Sequence, residues 1–440
     1  MNEAIPPLPD NRTEAPSIGS EARSGPWGIS TPVWAILLML AYQNFSQTIL
    51  GIAAPWIGKS FHLDDSGIAR MFAWVSLASL GALVLARFID LLGRRRMVLI
   101  CLTAIPMFSV GAAISTSYAW FVAFEIALNA AVGAGISACI VMLAEELPIH
   151  ERANGQSLGG LAGSFGGGMC VLLMPVIDGY AISWRWLLVL SAAGLALVPK
   201  LARMLPESER WQHTEALGIT EKSRFYDVLH PLYRRRAITI IVVTLLIAIS
   251  QAAAQAFSYY HAVSDEKLTT AGASLMTVIG GGIGMVGFPL GAKVCERWGR
   301  VPTVVVFGLL MIAGQLWYYW ARVPIFLTPM VWLAASFCVV TTSDSAATVG
   351  TNAAFTELFP TALRGTIMGW AAVMVAIGGV ASNAIAASLA HATGGLASAI
   401  GYTALAGVPA AILFGFMIDE TRGLSLEASA REQDFDSARE

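Results

Sequence analysis

The sequence predicts an all-α membrane protein of twelve transmembrane helices, arranged as two pseudo-symmetric six-helix halves. Three observations carry this: a composition too poor in charge for a water-soluble globule, a series of apolar runs of spanning length, and motifs that repeat between the two halves. Hydrophobic residues make up 56% of the 440 and charged residues 13%, against about 25% charged in soluble domains. So few ionisable groups cannot clothe a globule of this size, and the solvent is expected to be lipid. A net charge of −2 supplies no basic field for a nucleic acid. Cys101, Cys139, Cys170, Cys295 and Cys338 fall in or beside apolar stretches without metal-ligand spacing, and read as small core residues.

A membrane helix needs about 20 predominantly apolar residues. Runs free of Asp, Glu, Lys and Arg cover 24–58, 97–124, 153–177, 237–264, 268–292, 301–321 and 323–343. The run 365–418 is too long for one span and breaks at Ala390–Leu396, where His391, Thr393, Gly394 and Gly395 suit a turn. With the shorter stretches, spans are expected near 32–57, 68–88, 97–115, 118–143, 155–178, 185–204, 237–262, 269–292, 302–320, 328–355, 366–389 and 397–418. Placing both termini in the cytoplasm puts 22 of the 27 Lys and Arg on that side, the bias that orientation by basic loops demands. Residues 1–31 read as a disordered cytoplasmic tail: the segment is rich in Pro and polar residues and lacks the basic start and apolar core of a signal peptide. The halves are expected at 32–204 and 237–418, joined by a cytoplasmic linker at 205–236 and followed by a second tail at 419–440.

The halves repeat. Arg87-Phe-Ile-Asp90-Leu-Leu-Gly93-Arg94 matches Lys293-Val-Cys-Glu296-Arg-Trp-Gly299-Arg300 at an offset of 206. Glu145-x-x-Pro148-x-x-x-Arg152 matches Glu357-x-x-Pro360-x-x-x-Arg364 at an offset of 212. Glu207 in Pro206-Glu-Ser matches Glu420 in Asp419-Glu-Thr-Arg-Gly at an offset of 213. Ordered matches at corresponding helix ends describe two parallel copies of one six-helix unit.

These motifs resemble the major facilitator superfamily, over roughly 30–427 of the chain. The acid-x-x-Gly-Arg loops are similar to its Gly-x-x-x-Asp-Arg-x-Gly-Arg-Arg signature, with Ala86 and Ala292 in place of the leading Gly and Leu91 in place of an Arg. The Glu-x-x-Pro-x-x-x-Arg loops, the Pro206 and Glu420 runs, and Gln255 with Tyr259-Tyr260 resemble the sugar porter and metabolite:proton symporter branch; Asp419 replaces a Pro there. The resemblance implies alternating access around a central cavity lined by helices one, four, seven and ten. It also implies a cytoplasmic gate of Asp90, Arg94, Glu145, Arg152, Glu207, Glu296, Arg300, Glu357, Arg364 and Glu420, which would tie the halves together when the cavity opens outward. Asp90 and Glu296 are suited to face a positive helix N-terminus.

Polar residues recur within the spans. Gln43, Gln47 and Gly51, with Asn44 beside them, are expected on one face of helix one, and Gln251, Gln255 and Tyr259 on one face of helix seven. Asn129 follows Glu125 by four residues in helix four. Gln43, Asn44, Gln47, Asn129, Gln251, Gln255 and Tyr259 are the candidate solute-binding residues; packing by interhelical hydrogen bonds is the other reading. Glu125 and Asp344 are the clear mid-membrane acids, and such groups are costly and usually functional. They are the candidate coupling residues, for a proton or a sodium ion. Proton-coupled members of the branch often carry an acid where Asn44 stands and an Arg where Glu125 stands. With no mid-membrane Lys or Arg, the cavity suits a neutral or cationic solute better than an anion. Gly159, Gly163, Gly167 and Gly168 resemble an antiporter signature with Ser164 in place of its Pro, and equally suit close packing. Trp317, Tyr318, Tyr319 and Trp320 read as interfacial anchors.

No catalytic or metal-binding constellation and no cofactor is expected. Gly280-Gly281-Gly282 lacks the Lys of a phosphate loop, so energy must come from a gradient rather than a nucleotide. The sequence therefore predicts a transporter, not an enzyme, acting as a monomer in the plasma (inner) membrane. Its predicted task is ion- or proton-coupled uptake of a small polar organic solute. Efflux of a drug or metabolite, and a receptor of the same fold that binds solute without carrying it, are the alternatives.

Overall fold

A computed structural model describes residues 30–82, 84–85, 93–146, 152–205, 231–325, 327–359 and 361–422. Among them, eleven helices are long and apolar enough to cross a membrane. They are α1 (Thr31–Phe61), α3 (Arg94–Ile114), α4 (Tyr118–Glu146), α5 (Arg152–Gly179), α6 (Arg185–Met204), α7 (Arg234–Asp265), α8 (Thr270–Trp298), α9 (Arg300–Trp320), α10 (Pro329–Glu357), α11 (Thr361–Leu389) and α12 (Leu396–Met417). The remaining helix, α2, starts at Asp65–Ser76, where the Asp64 carboxylate caps the Gly67 N–H at 2.9 Å.

Several spans are broken for a local reason. α6 tightens at Ala193–Leu197, α8 breaks at Met285–Val286 and α12 at Leu405–Ala406. Pro199, Pro289 and Pro409 each stand four residues after Leu195, Met285 and Leu405, and have no N–H to return to those carbonyls. Nearby carbonyls are taken up by other helices: the Tyr42 hydroxyl donates to Ser191 O at 2.9 Å and the Ser250 hydroxyl to Ala404 O at 2.8 Å. Ser191 and Ala404 are themselves 213 residues apart, the offset of the last motif pair.

Another repeat lies in the packing. α1 and α5 approach so closely at Gly166 that a Cβ there would meet Ala41 O at 1.8 Å. Its counterpart 212 residues on, Gly378, lets α11 approach α7, where a Cβ would meet the Ala248 side chain at 2.4 Å. In α5 a Cβ at Gly163 would also meet the Asn44 side chain at 2.8 Å. Gly159, Gly163 and Gly167 thus serve contact with α1, the packing reading of that signature, while Gly168 has open space beside it.

The buried apolar residues divide unequally along the bundle. At the end holding the α3–α4 and α9–α10 turns, one core runs through both halves, from Ile49, Phe72 and Trp184 to Phe257, Tyr318 and Leu396. At the opposite, arginine-rich end there are two separate cores. One holds Ile36, Val98 and Leu143 of the first half, the other Tyr233, Phe359 and Phe414 of the second. The bundle is sealed at one end and split at the other.

Candidate functional site

The split encloses a cavity of about 750 Å³ between the halves, within the range of small-molecule sites. Gln47 and Gly51 of α1, Ser76 and Ser79 of α2, Asn129 of α4, Gln255 of α7 and Asn383 of α11 give it its polar character. Among the described residues its lining contains no Lys, Arg, Asp or Glu. Asn129 stands at the wall, and its amide donates to Glu125 Oε2 behind it at 3.3 Å. Glu125 itself is buried, with 2% of its surface exposed.

Polar contacts between the halves close the sealed end. Tyr260 Oη donates to Asp65 Oδ1 at 2.8 Å, Ser274 Oγ to Val171 O at 2.8 Å, and Thr270 Oγ1 to Asp178 Oδ2 at 3.1 Å. His391 lies 3.3 Å from Asp64 and 3.2 Å from Ser66. Asn383 Nδ2 reaches Ser76 Oγ at 3.1 Å, closer to the cavity. At the arginine-rich end the contacts among the described residues run within one half. Arg300 holds Glu357 at 2.7 Å, which also accepts from the Thr421 hydroxyl, and Arg236 holds Asp419 at 2.8 Å. Glu420 accepts from the backbone N–H groups of Arg300 and Val301 at 2.9 and 3.0 Å, placing a carboxylate on the positive N-terminus of α9. The glycine before that helix, Gly299, has φ 106°, and Gly93 before α3 has φ 91°, conformations that suit glycine alone.

A sequence model of the Major Facilitator Superfamily matches residues 36–383. The chain belongs to the major facilitator superfamily. That family is one of membrane transporters rather than enzymes, and the twelve-helix, two-half architecture is its fold. The chain is 27% identical to the gallate transporter of Pseudomonas putida over 192 residues, covering 40% of this chain and 41% of that one. It is 30% identical to the D-xylose transporter of Levilactobacillus brevis over 169 residues, covering 38% of this chain and 37% of the relative. These alignments span about two fifths of the curated relatives. Among solved structures, the xylose transporter XylE from E. coli, in an inward-open conformation, superimposes with a TM-score of 0.69 at 19% identity, covering 91% of this chain and 98% of that one. A nucleoside transporter, NupG, superimposes at 0.72 with 14% identity, covering 88% and 100%.

Within this facilitator fold the candidate residues separate. Gln47, Asn129 and Gln255 are on the cavity wall. Gln43 is not: it is wholly buried against α4, so close that a Cβ at Gly135 would touch its amide. Asn44 turns to Leu40 O of its own helix at 2.9 Å and lines a lateral opening against α5. The expected helix-seven stripe is broken by the backbone. α7 loses its regular turn at Phe257 and continues through Ser258–Tyr260 into a wider π turn at His261–Asp265. Gln251 faces Asp344 (2.8 Å) and Gln255 the cavity; Tyr259 lines the same cavity, but is 2% exposed and spends its hydroxyl on Ser274 at 3.2 Å.

For the gate, Glu296 is exposed, and it is Glu420 rather than Glu296 that faces the α9 N-terminus. Asp90 and Glu207 lie outside the described residues. Arg94, Glu145, Arg152 and Arg364 lie on α3, α4, α5 and α11, and their side chains are outside the described set. The α9 aromatics are not all interfacial anchors. Tyr318 and Tyr319 are buried, with hydroxyls on Ser258 O and Ala254 O, and so brace the α7 break. Asn383, Ser76 and Ser79 are cavity residues that the sequence reading missed. Their signal was weak: single polar residues in helices two and eleven, without a stripe.

Proposed function

We propose that the protein is a secondary active transporter taking up a small polar organic solute by alternating access, with coupling to a proton as the first reading and to a sodium ion as the second. The observation that carries this is the split bundle: one shared core at one end, two separate cores at the other, and a polar-lined cavity between them. The basic-loop bias assigns the split end to the cytoplasm of the plasma membrane, so the state described is inward-open. Conversion to the outward-open state needs the shared core to part at Phe72 and Phe257, and the Arg300–Glu357–Glu420 cluster to meet its counterparts Arg94, Glu145 and Glu207 across the split. Arg152 and Arg364 flank that meeting.

Amides and hydroxyls without a basic residue in the lining favour a neutral polyhydroxylated solute. Of the relatives' substrates, D-xylose suits such a wall better than the gallate anion. Of the α5 glycines that resemble an antiporter signature, Gly159, Gly163 and Gly167 face α1 at packing distance, which weakens that signature as support for efflux. Glu125 is one hydrogen bond removed from the cavity, through Asn129. That position suits a group that takes up and releases a proton as water reaches Asn129. Asp344 is the second coupling candidate.

Proteoliposomes carrying a pH gradient test this. Wild-type protein should accumulate labelled sugar. Glu125→Gln should abolish accumulation yet keep counterflow exchange, which moves no net proton. Accumulation surviving in both Glu125→Gln and Asp344→Asn would refute proton coupling through these acids.

A further inference from the structure

A second cavity, of about 370 Å³, lies inside the second half, walled by α7, α9, α10, α11 and α12. Its one charged lining residue is Asp344. Oδ1 of that carboxylate accepts from Gln251 Nε2 at 2.8 Å. Thr244 Oγ1, also in the lining, is buried without a hydrogen-bond partner among the described residues. Thr348, Thr351 and Asn352 of α10 add polar groups, and Ile247, Met311, Phe355 and Phe414 are among the apolar residues that make up most of the wall. Ala372 and Val375 line both this cavity and the central one, so the two are neighbours.

We propose that this cavity binds an organic ammonium ion, its charged head on Asp344 and its apolar body against the α9 and α12 side chains. The inference goes beyond the transport reading and does not depend on it. An anion would meet a carboxylate with no basic partner in the lining. Thr244, Thr348, Thr351 and Asn352 add oxygens to the lining, so size rather than ligand count argues against a bare sodium ion. A volume of 370 Å³ exceeds what a bare ion fills and falls in the range of small organic ligands. A half-buried carboxylate in a largely apolar chamber favours an organic cation, whose apolar body replaces the water the charge gives up.

The test is equilibrium binding of labelled benzyltrimethylammonium to the full chain in lipid nanodiscs. This probe is permanently charged, so its own protonation does not enter. Saturable binding is expected, with no competition from neopentylbenzene, its neutral isostere. Asp344→Asn should weaken binding at least about tenfold, as loss of a buried charge partner does. Gly308→Leu is the second variant. Gly308 lines the cavity and a Cβ there meets nothing within 4 Å, so the larger side chain fills the chamber without clashing and should also abolish binding. Gln255→Ala, in the central cavity, should leave it unchanged. Absence of saturable binding, equal binding of the neutral isostere, or wild-type affinity in Gly308→Leu would overturn the proposal. Loss of binding in Gln255→Ala alone would place the ligand in the central cavity and overturn it too. Sugar uptake is measured separately, so it can survive failure of this site, and the site can survive failure of uptake.

Discussion

Tyr260→Phe removes one hydroxyl from the sealed end and nothing else. That hydroxyl donates to Asp65 Oδ1 at 2.8 Å, from α7 to the start of α2, and so joins the halves only when this end is closed. A hydrogen bond to a charged group contributes about 1.5–3 kcal/mol. Asp65 is half-buried at the mouth and regains water when the bond is lost, so the lower figure applies, about 1.5 kcal/mol. That is roughly a tenfold shift in the equilibrium between the two states. The aromatic contact of Tyr260 with Phe257, 6.2 Å between centroids, is retained by Phe. The assay is labelling of Gln47→Cys by a membrane-impermeant maleimide, in oriented vesicles of either sidedness. Gln47 is an exposed wall residue, and the native cysteines give little background because four are buried and Cys338 is half-buried. Labelling from the arginine-rich side should fall and labelling from the sealed side should rise. Equal rates from both sides in Tyr260→Phe and its parent would refute the idea that this bond holds the sealed end shut.

Three further outcomes are expected. Gly166→Ala should lower the melting temperature, because a Cβ 1.8 Å from Ala41 O forces α1 and α5 apart at an overpacking cost of about 1–3 kcal/mol; Gly168→Ala, with nothing within 4 Å, should leave it unchanged. Gln255→Ala should weaken binding of the transported sugar by about 0.5–1.5 kcal/mol, whereas Tyr259→Phe should not, since that hydroxyl is already held by Ser274; equal losses in a titration of both variants would restore the unbroken stripe. Asp64→Ala should cost about 1 kcal/mol as a lost helix cap. The Ser66 hydroxyl and, less strongly, the Gly67 N–H hold the Asp64 carboxyl below its ordinary range. A depressed folded-state value means that this contribution is complete at neutral pH and fades only as pH falls through the folded value. The stability difference between Asp64→Ala and its parent should therefore be flat from neutral down to the ordinary carboxylate range and shrink below it.

The sequence by itself determined the solvent, the helices and the repeat. Charge scarcity and run length follow from the cost of burying polar groups in lipid, which acts residue by residue, so α1, α3, α9 and α10 are legible to within a few residues of their observed ends. Gly93–Arg94 and Gly299–Arg300 mark helix starts because a positive φ is a local demand. Even the breaks in α6, α8 and α12 have local causes in Pro199, Pro289 and Pro409. Only the tertiary structure decided which polar residue faces what. Spacing of four places Gln43 and Gln47 on one side of α1, but neighbours on two sides divide that face. α4 buries Gln43, while the split leaves Gln47 on the cavity. Tyr259 stays on the cavity wall with Gln255, but its hydroxyl is taken by Ser274 of α8, a partner that a polar stripe read from a regular helix has no means to foresee. Pairings across the bundle, such as Glu420 on the α9 N-terminus, Asn383 on Ser76 and Asp344 on Gln251, join residues from 93 to 307 positions apart. Their partners are set by how the helices of the second half pack and, for Asn383 on Ser76, by how the two halves meet. That is a property of the whole packed bundle, in which the energy of any one contact is small and the choice among them is made by all the helices at once.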